Sequence, residues 1–340
     1  SSMLLIVLFL KHELSYDRYF SKSERIYRFT VTSPDLFSGK HFARVFRPSY
    51  VPDMAEAFSG IENFVRLAPA RGGVLKRENR YYNVNQGFEC DSTFFKIFDV
   101  ELLVGNPDHV LDGPASMVIS ETFSRKIFGD SNPVGQVLTR PTGQFYGEEV
   151  NFVVNGIMKD FPPNSHIHPD FIATPIDKSH MDSWGWTYFL LHNNASPEPI
   201  CEGFNEYFAT HFEMDLEEVN VEAHLQRLTD IHLHSKKTRE IEANSSMTVI
   251  YSFSLAALLL LFIALINYAN LNMGMAAYSD KYLFIGKVLG ASKRMQVKHF
   301  LFEAIFIAMT TLFISGMIAA LSIIYIQKQL ALNLFNGNLL

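Results

Sequence analysis

Two stretches of the chain carry neither charge nor polar rhythm. Residues 245–279 contain no Asp, Glu, Lys or Arg and read "VIYSFSLAALLLLFIALINYA" at their centre. Residues 304–327, "AIFIAMTTLFISGMIAALSIIYIQ", are equally bare. Each exceeds the roughly 20 residues that a helix needs to cross a bilayer at about 1.5 Å per residue. Soluble core helices rarely run so long without a charge, so membrane spans are predicted over residues 245–272 and 300–328. A third apolar run, Met3–Leu10, is too short to span. It lacks the basic flank and small-residue cleavage site of a secretory signal. The expectation is the outer end of a truncated first transmembrane helix, residues 1–16.

Between this helix and the first full span the pattern changes to short alternating and one-sided segments. "RIYRFTVTS" alternates apolar Ile26, Phe29 and Val31 with polar neighbours and predicts a strand. "VPDMAEAFSGIENFVRLAPA" predicts a short helix, a stop at Gly60 and a strand through Phe64, Val65 and Leu67. "YYNVNQGFEC" reads as one strand, and "DSTFFKIFDVELLVG" as a helix turning into an extended segment. In "ASMVISETFSRKIFGD", a strand end at Met117, Val118 and Ile119 meets an N-cap at Ser120. A helix with Phe123 and Ile127 on one face follows, and Gly129 stops it. "NFVVNGIMKDFPPNSHI" is a strand closed by a Pro-Pro turn. "WGWTYFLLH" and "VNVEAHLQRLTDIHLHS" read as strands around the helix "CEGFNEYFATHF". The class is α+β, in strand–helix–strand units, over residues 17–244.

Charge sets the orientation. Lys281, Lys287, Lys293, Arg294 and Lys298 face a single Asp280 between the two spans, and an excess of Lys and Arg marks the cytoplasmic side. Residues 273–299 are therefore expected in the cytoplasm, with residues 17–244 and the terminal stretch 329–340 outside. The chain of 340 residues has a net charge of −6, and no basic, aromatic-rich stripe suggests a nucleic-acid partner. Cys90 and Cys201 both fall in the outer segment, where either a disulfide or two free thiols are open.

Candidate chemistry is sparse. "FIGKVLGASKR" (residues 284–294) sets Gly286 and Gly290 beside lysines. A P-loop needs G-x-x-x-x-G-K-[ST] between a strand and a helix. These glycines have only three residues between them, and Ala291 stands where lysine should follow, so no nucleotide or other cofactor is expected. His166 with His168, and His232 with His234, would each share a strand face at i and i+2. Asp170 and Asp230 are their only close carboxylates and no cysteine lies near, so no metal site is assigned. Ser116, Ser120, Glu121, Asp160 and His166 can be combined into a hydrolase triad only by chance, and no nucleophile-elbow or zinc-protease motif is present. The chain is not expected to be an enzyme.

Several ordered segments together resemble the MacB/FtsX-type permease subunits of ABC transporters. They are "ELSYDRYFSKSERIYRFT", "DSTFFKIFDVELLVGNP", "PASMVISETFSRKIFGDSNPVGQVL", "VNGIMKDFPPNSHIHPDF", "LTDIHLHS", "INYANLNMGMA" and "KVLGAS". The resemblance implies a MacB-like outer core domain with a porter-like βαβ part and a small second subdomain, inserted between helical spans in the inner membrane. It implies a multi-pass subunit that pairs with itself or a related permease half and couples to a separate ABC ATPase. The associated task is export of a drug, peptide or lipoprotein by mechanotransmission, with a periplasmic adaptor, outer-membrane channel or envelope enzyme as further partners. A non-transporting regulator or sensor acting on a protein such as a cell-wall hydrolase is the alternative. The ATPase-docking residues implied are Lys287, Val288, Leu289, Gly290, Ala291 and Ser292. Tyr282, Phe284 and Gly286 depart from the acid, glycine and arginine of the family pattern, which removes two potential ion pairs and adds bulk. Glu303 also matches a family position.

Overall fold

The computed structural model describes residues 2–336 except 34–40, 47, 71–72, 142–148, 178–180, 182–183, 216–219, 289 and 291. It divides into two units: Ser15–Ser246, and Ser1–Leu14 together with Met247–Leu340.

The chain opens on helix α1 (Ser2–Leu14) and then enters the outer unit with strands β1 (Ile26–Thr32) and β2 (Val45–Phe46). Helix α2 (Val51–Ala57) leads to β3 (Ile61–Pro69), β4 (Val74–Arg77), β5 (Arg80–Asn83) and β6 (Gly87–Cys90). The one-turn helix α3 (Phe94–Ile97) precedes β7 (Leu102–Val104) and β8 (Ser116–Ser120). Next come α4 (Glu121–Phe128), β9 (Val137–Arg140), β10 (Val150–Met158), β11 (Phe171–Ala173) and β12 (Trp184–Leu191). Helix α5 (Glu198–His211), β13 (Glu222–Arg227) and α6 (Ile231–His234) complete the unit. Two long helices follow, α7 (Met247–Val288) and α8 (Lys293–Asn336).

The strands join in one mixed sheet, ordered β13-β1-β12-β3-β6-β11-β8-β10-β9-β4-β5, with β2 added to β12 and β7 to β10. Its middle is covered on both faces. Along β1, Tyr27 and Phe29 enter a cluster with Ile200 and Phe204 of α5 and Val51 and Met54 of α2. Ile26 enters the opposite cluster, with Phe94 and Phe98, Tyr188 of β12 and Val65 of β3. The alternation in β1 therefore does not separate core from solvent. Arg28, Thr30 and Thr32 are buried as well, because the second face is roofed by α3, α6 and the chain around Phe20.

At the other end of the sheet, β8, α4 and β10 form a βαβ unit with β8 and β10 parallel. Ser120 is extended, and its Oγ accepts the Phe123 N–H at 3.2 Å, the expected N-cap. Phe123 and Ile127 pack on Phe152 and Val154. Gly129 takes φ +61°, a conformation costly for a side-chain-bearing residue, and ends the helix.

Two segments read from sequence take other forms. "YYNVNQGFEC" is two strands: β5 pairs with β4, whereas β6 pairs with β3 and β11. The turn between them separates partners that one straight strand cannot reach. "LTDIHLHS" is a 3₁₀ turn followed by α6. Leu228 and Ile231 are buried at a spacing of three, which fits a helical turn and not a strand.

Both chain connections to the helices are tied into the buried face. On the incoming side, Asp17 is fully buried in a left-handed conformation (φ 56°). Its Oδ1 accepts from the His166 N–H at 3.1 Å and the Ser165 hydroxyl at 3.1 Å, and lies 2.9 Å from His166 Nδ1. His166 Nε2 lies 2.8 Å from the hydroxyl of Tyr188, whose pKa is raised by burial. On the outgoing side, the fully buried Arg28 forms an ion pair with Glu240 and donates to Gln226 Oε1 at 2.7 Å and Ser235 Oγ at 2.9 Å. Glu242, two residues on, lies 2.7 Å from His168 Nδ1 and accepts from Gln86 Nε2 at 3.2 Å. Tyr16 of the incoming segment stacks on His232 of the outgoing one, with ring centroids 3.4 Å apart. The two connections are thus held to one face and to each other.

Two outcomes follow for the full chain in detergent, where Trp184 and Trp186, its only tryptophans, report on the outer unit. Glu240→Ala leaves Arg28 buried without its carboxylate and should lower the stability of that unit by about 3 kcal/mol, seen as an earlier denaturant midpoint. The second concerns His168, whose pKa is raised mainly by its hydrogen bond to Glu242, against the opposing effect of burial. A raised histidine stabilises fully below its unfolded value of about 6.5 and loses that effect as pH climbs through the folded value. The stability gap between the parent chain and His168→Gln should therefore be widest near about pH 5.5 and close towards about pH 8.5. A gap that widens with pH would contradict the assignment.

Candidate functional site

The segment singled out by sequence, residues 287–292, is the break between α7 and α8. The apolar part of α7, Met247–Leu271, has mean hydropathy 2.7, and that of α8, Val297–Ser322, has 2.2. Both are long and apolar enough to cross a membrane. Side chains such as Leu258, Phe262, Ile305 and Phe313 stand exposed along them, which no core helix of a soluble fold would allow. Within the same unit, Phe9 of α1 packs on Phe253 of α7, with ring centroids 4.8 Å apart.

Beyond Leu271, α7 runs on as helix to Val288 and stops two residues before Gly290. Gly290 has φ +87°, the left-handed conformation of a residue just past a helix end. A Cβ there would meet nothing within 4 Å, so glycine serves the backbone turn and not a tight contact. Ser292 then opens α8: its Oγ accepts the Met295 N–H at 3.3 Å, an N-cap. "KVLGAS" thus encodes a helix stop and a helix start only a few residues apart.

Large apolar side chains project around this turn. Phe284, Val288 and Met295 are exposed, beside Arg294 and Lys298, which are exposed too. Apolar knobs among cations suit a protein partner better than water or a nucleotide. Of the six residues inferred from sequence, Val288 ends α7, Gly290 lies in the turn, Ser292 caps α8, and the Lys287 backbone continues α7. Leu289 and Ala291 lie outside the described residues. Glu303 is exposed on α8.

The other sequence candidates are drawn apart. His166 and His168 lie in a loop and not a strand, and bond to different groups, Asp17 with Tyr188 and Glu242 with the Pro162 carbonyl. His232 and His234 are on one helical turn, so the shared-face premise fails for both pairs. No cluster of three metal-ligating side chains occurs among the described residues. Ser120 caps α4, Asp160 accepts from the Thr122 N–H at 3.0 Å, and the Ser116 N–H donates to Thr174 Oγ1 at 3.0 Å. None of these groups meets His166 in a relay. Both cysteines are free thiols. Cys90 is sealed in the core, where burial pushes its pKa well up, and Cys201 is half-buried on α5. Asp17, Arg28 and Glu240, which fix the two connections, were not singled out by motif. Their one sequence signal is a lone arginine inside the strand "IYRFTVT".

Comparison with known proteins gives a family. The MacB-like periplasmic core domain matches residues 1–205. A domain assigned to a permease protein from Porphyromonas gingivalis is 24% identical over 61% of this chain and 92% of its own, with TM-score 0.48. The periplasmic region of MacB from Actinobacillus actinomycetemcomitans is 14% identical over 60% and 89%, with TM-score 0.42. The extracellular domain of the noncanonic ABC-type transporter YknZ from Gram-positive bacteria is 12% identical over 58% and 99%, with TM-score 0.43. No curated protein matches the chain. The family match spans more than half of the chain, which therefore belongs to the MacB-like periplasmic core domain family.

Proposed function

We propose that this chain is the permease subunit of an ABC-type transporter in the inner membrane, with its outer unit in the periplasm. A separate ATPase subunit docks on residues 287–292, and its motion reaches the outer unit along α7. ATP hydrolysis is assigned to that separate subunit. Family membership supports the transporter class. The observation that carries the coupling is the turn at Gly290, where two helices with long apolar spans meet and present Phe284, Val288 and Met295 to the surroundings.

The excess of Lys and Arg around that turn supports a cytoplasmic location for it. A helix is a stiff element, and α7 is continuous from Met247 to Val288. Seven residues before it, Glu240 is paired with the buried Arg28. Displacement of α7 therefore pulls on a segment fastened inside the sheet and not on a slack loop. This is the physical basis for mechanical export, with a second permease half completing the membrane assembly.

The docking reading is tested by Val288→Asp, which puts a charge on the exposed knob without touching the outer unit. In pull-downs of the full chain from membranes of its host, recovered ATP hydrolysis should fall about tenfold, the effect of losing one apolar anchor. The denaturant midpoint of the outer unit should not move. Undiminished recovery of ATPase activity would sink the docking assignment.

A further inference from the structure

The outgoing segment also carries cations that form no ion pair among the described residues. Arg239 is held at φ 60°, a left-handed conformation that is costly for a residue with a Cβ and that glycine or asparagine adopts more readily. Its guanidinium lies 5.6 Å from the ring centroid of Phe42 and 5.7 Å from that of Trp184. Arg44 stacks over Trp186 at 4.0 Å, and its Nε is buried with no hydrogen-bond partner. The Arg44 pKa is lowered by burial and then by the charge of Arg239, so the two guanidinium groups repel each other. Lys237 is lowered by burial and by Arg28. Glu240, the residue after Arg239 in the segment, is already held by Arg28 and Ser235. Among the described residues, no ion pair is formed by Arg44, Lys237 or Arg239.

These cations sit on a rigid frame. The Ala43 N–H donates to the Thr238 carbonyl at 2.9 Å, and the Thr238 N–H donates to the His41 carbonyl at 2.8 Å. Trp186 Nε1 donates to the Arg239 carbonyl at 3.2 Å. The two arginines are therefore presented from two cross-linked stretches of backbone. Beside them a cleft of about 200 Å³ is lined by Leu75, Phe88, Arg140, Phe171, Trp186 and Ile241. Trp186 is common to the cleft and to the Arg44 stack. The cleft wall is largely apolar, with Asn85, Gln86 and Arg140 as its polar members, and the Arg140 Nε is also buried and unpartnered although its head is paired with Glu89. Buried donors without acceptors and paired cations without a counter-ion are the marks of a site whose missing group is an anion.

From this arrangement we infer that Arg44 and Arg239, with Lys237, form a binding site for an anionic amphiphile: an oxyanion head between the two guanidinium groups and an apolar body against Trp186 and the cleft. Two forked guanidinium groups match the oxygens of a phosphate bidentately, and the aromatic rings hold both forks in place from behind. The apolar wall selects a lipid-like molecule over a free ion. The strain at Arg239 is explained if its side chain has to face the head group. The site lies on the same segment as Glu240 but does not depend on ATPase docking, so its failure and that of the docking turn are scored separately.

The test uses the full chain in an uncharged detergent, with fluorescence of Trp184 and Trp186 as the readout. Short-chain phosphatidylglycerol should give a saturable change at concentrations about tenfold below those needed for inorganic phosphate or for short-chain phosphatidylcholine, whose head has no net charge. Arg239→Gln, an exposed position, should raise the dissociation constant about tenfold with an unchanged denaturant midpoint. The double variant Arg44→Gln/Arg239→Gln should abolish saturation. Equal affinity for the two lipids, or equal affinity of the parent chain and Arg239→Gln, would overturn the site. A response to inorganic phosphate as strong as to phosphatidylglycerol would overturn the amphiphile in favour of a free oxyanion.

Discussion

A guanidinium with no exposed surface has to be matched by acceptors, and Arg28 meets this demand at the centre of the sheet. It stands opposite Gln226 on one neighbouring strand and Tyr188 on the other. Leaving an ion unpaired in such a place costs several kcal/mol, about as much as a domain's whole margin of stability. The neighbouring strands offer it only the Gln226 amide and a tyrosine hydroxyl that is already bonded to His166. The carboxylate has to come from elsewhere, and it comes from Glu240. One buried charge thus dictates the path of the chain between β13 and the first long helix. Ser235 reinforces that path by bridging Arg28 and Glu240.

The same polar row reaches the other connection. Tyr188 passes from Arg28's neighbourhood to His166, and His166 to Asp17, which sits three residues after α1 ends. Incoming and outgoing chain are therefore fastened to adjacent strands of one sheet, β1 and β12, through buried groups that water does not screen. A fold built only to be stable gains little from such a row, since apolar replacements of similar volume are often as good. Fixing where two chain crossings leave the sheet is a different gain, because a polar network accepts one geometry and a greasy surface accepts many.

Much of this architecture was legible in the sequence. The charge-free runs gave the long helices. Ser120, Phe123, Ile127 and Gly129 spelled out α4, because a cap, a one-sided face and a stop are all local signals. The helix–helix turn at Gly290 and Ser292 was visible as "KVLGAS" but was first legible as a resemblance, with its backbone logic clear only from φ and the cap. What stayed hidden was non-local. Arg28 and Glu240 are 212 positions apart, and no periodicity links them. The histidine pairs 166/168 and 232/234 were weighed on the premise that each shares a strand face at i and i+2. Burial of Leu228 and Ile231 and the bonds from Asp17 and Glu242 instead decide their conformation. The alternation in β1 predicted the strand but said nothing of what covers its polar side. A sheet roofed on both sides buries its polar residues too, and only the packing of α3 and α6 reveals the second roof.

The two anchors of the outgoing segment differ in a way that orders their response to load. Counting back from Met247, Glu242 comes first and Glu240 second. The first anchor pairs with His168, and both side chains are about one-third exposed, at 35% and 34%. The second pairs with an arginine of no exposure, and its own carboxylate is 13% exposed. Solvent and salt weaken the outer pair far more than the inner one. Under the proposed coupling, a displacement arriving along α7 would meet the weaker contact before the stronger. The outer contact could then open while Arg28 keeps its carboxylate, leaving the sheet undisturbed. Only a larger displacement would reach Arg28, the strand neighbour of Tyr188, which is itself hydrogen-bonded through His166 to Asp17. Such a graded linkage would confine small motions to the segment that carries Ile241, a wall of the cleft, and commit the whole sheet only under sustained force.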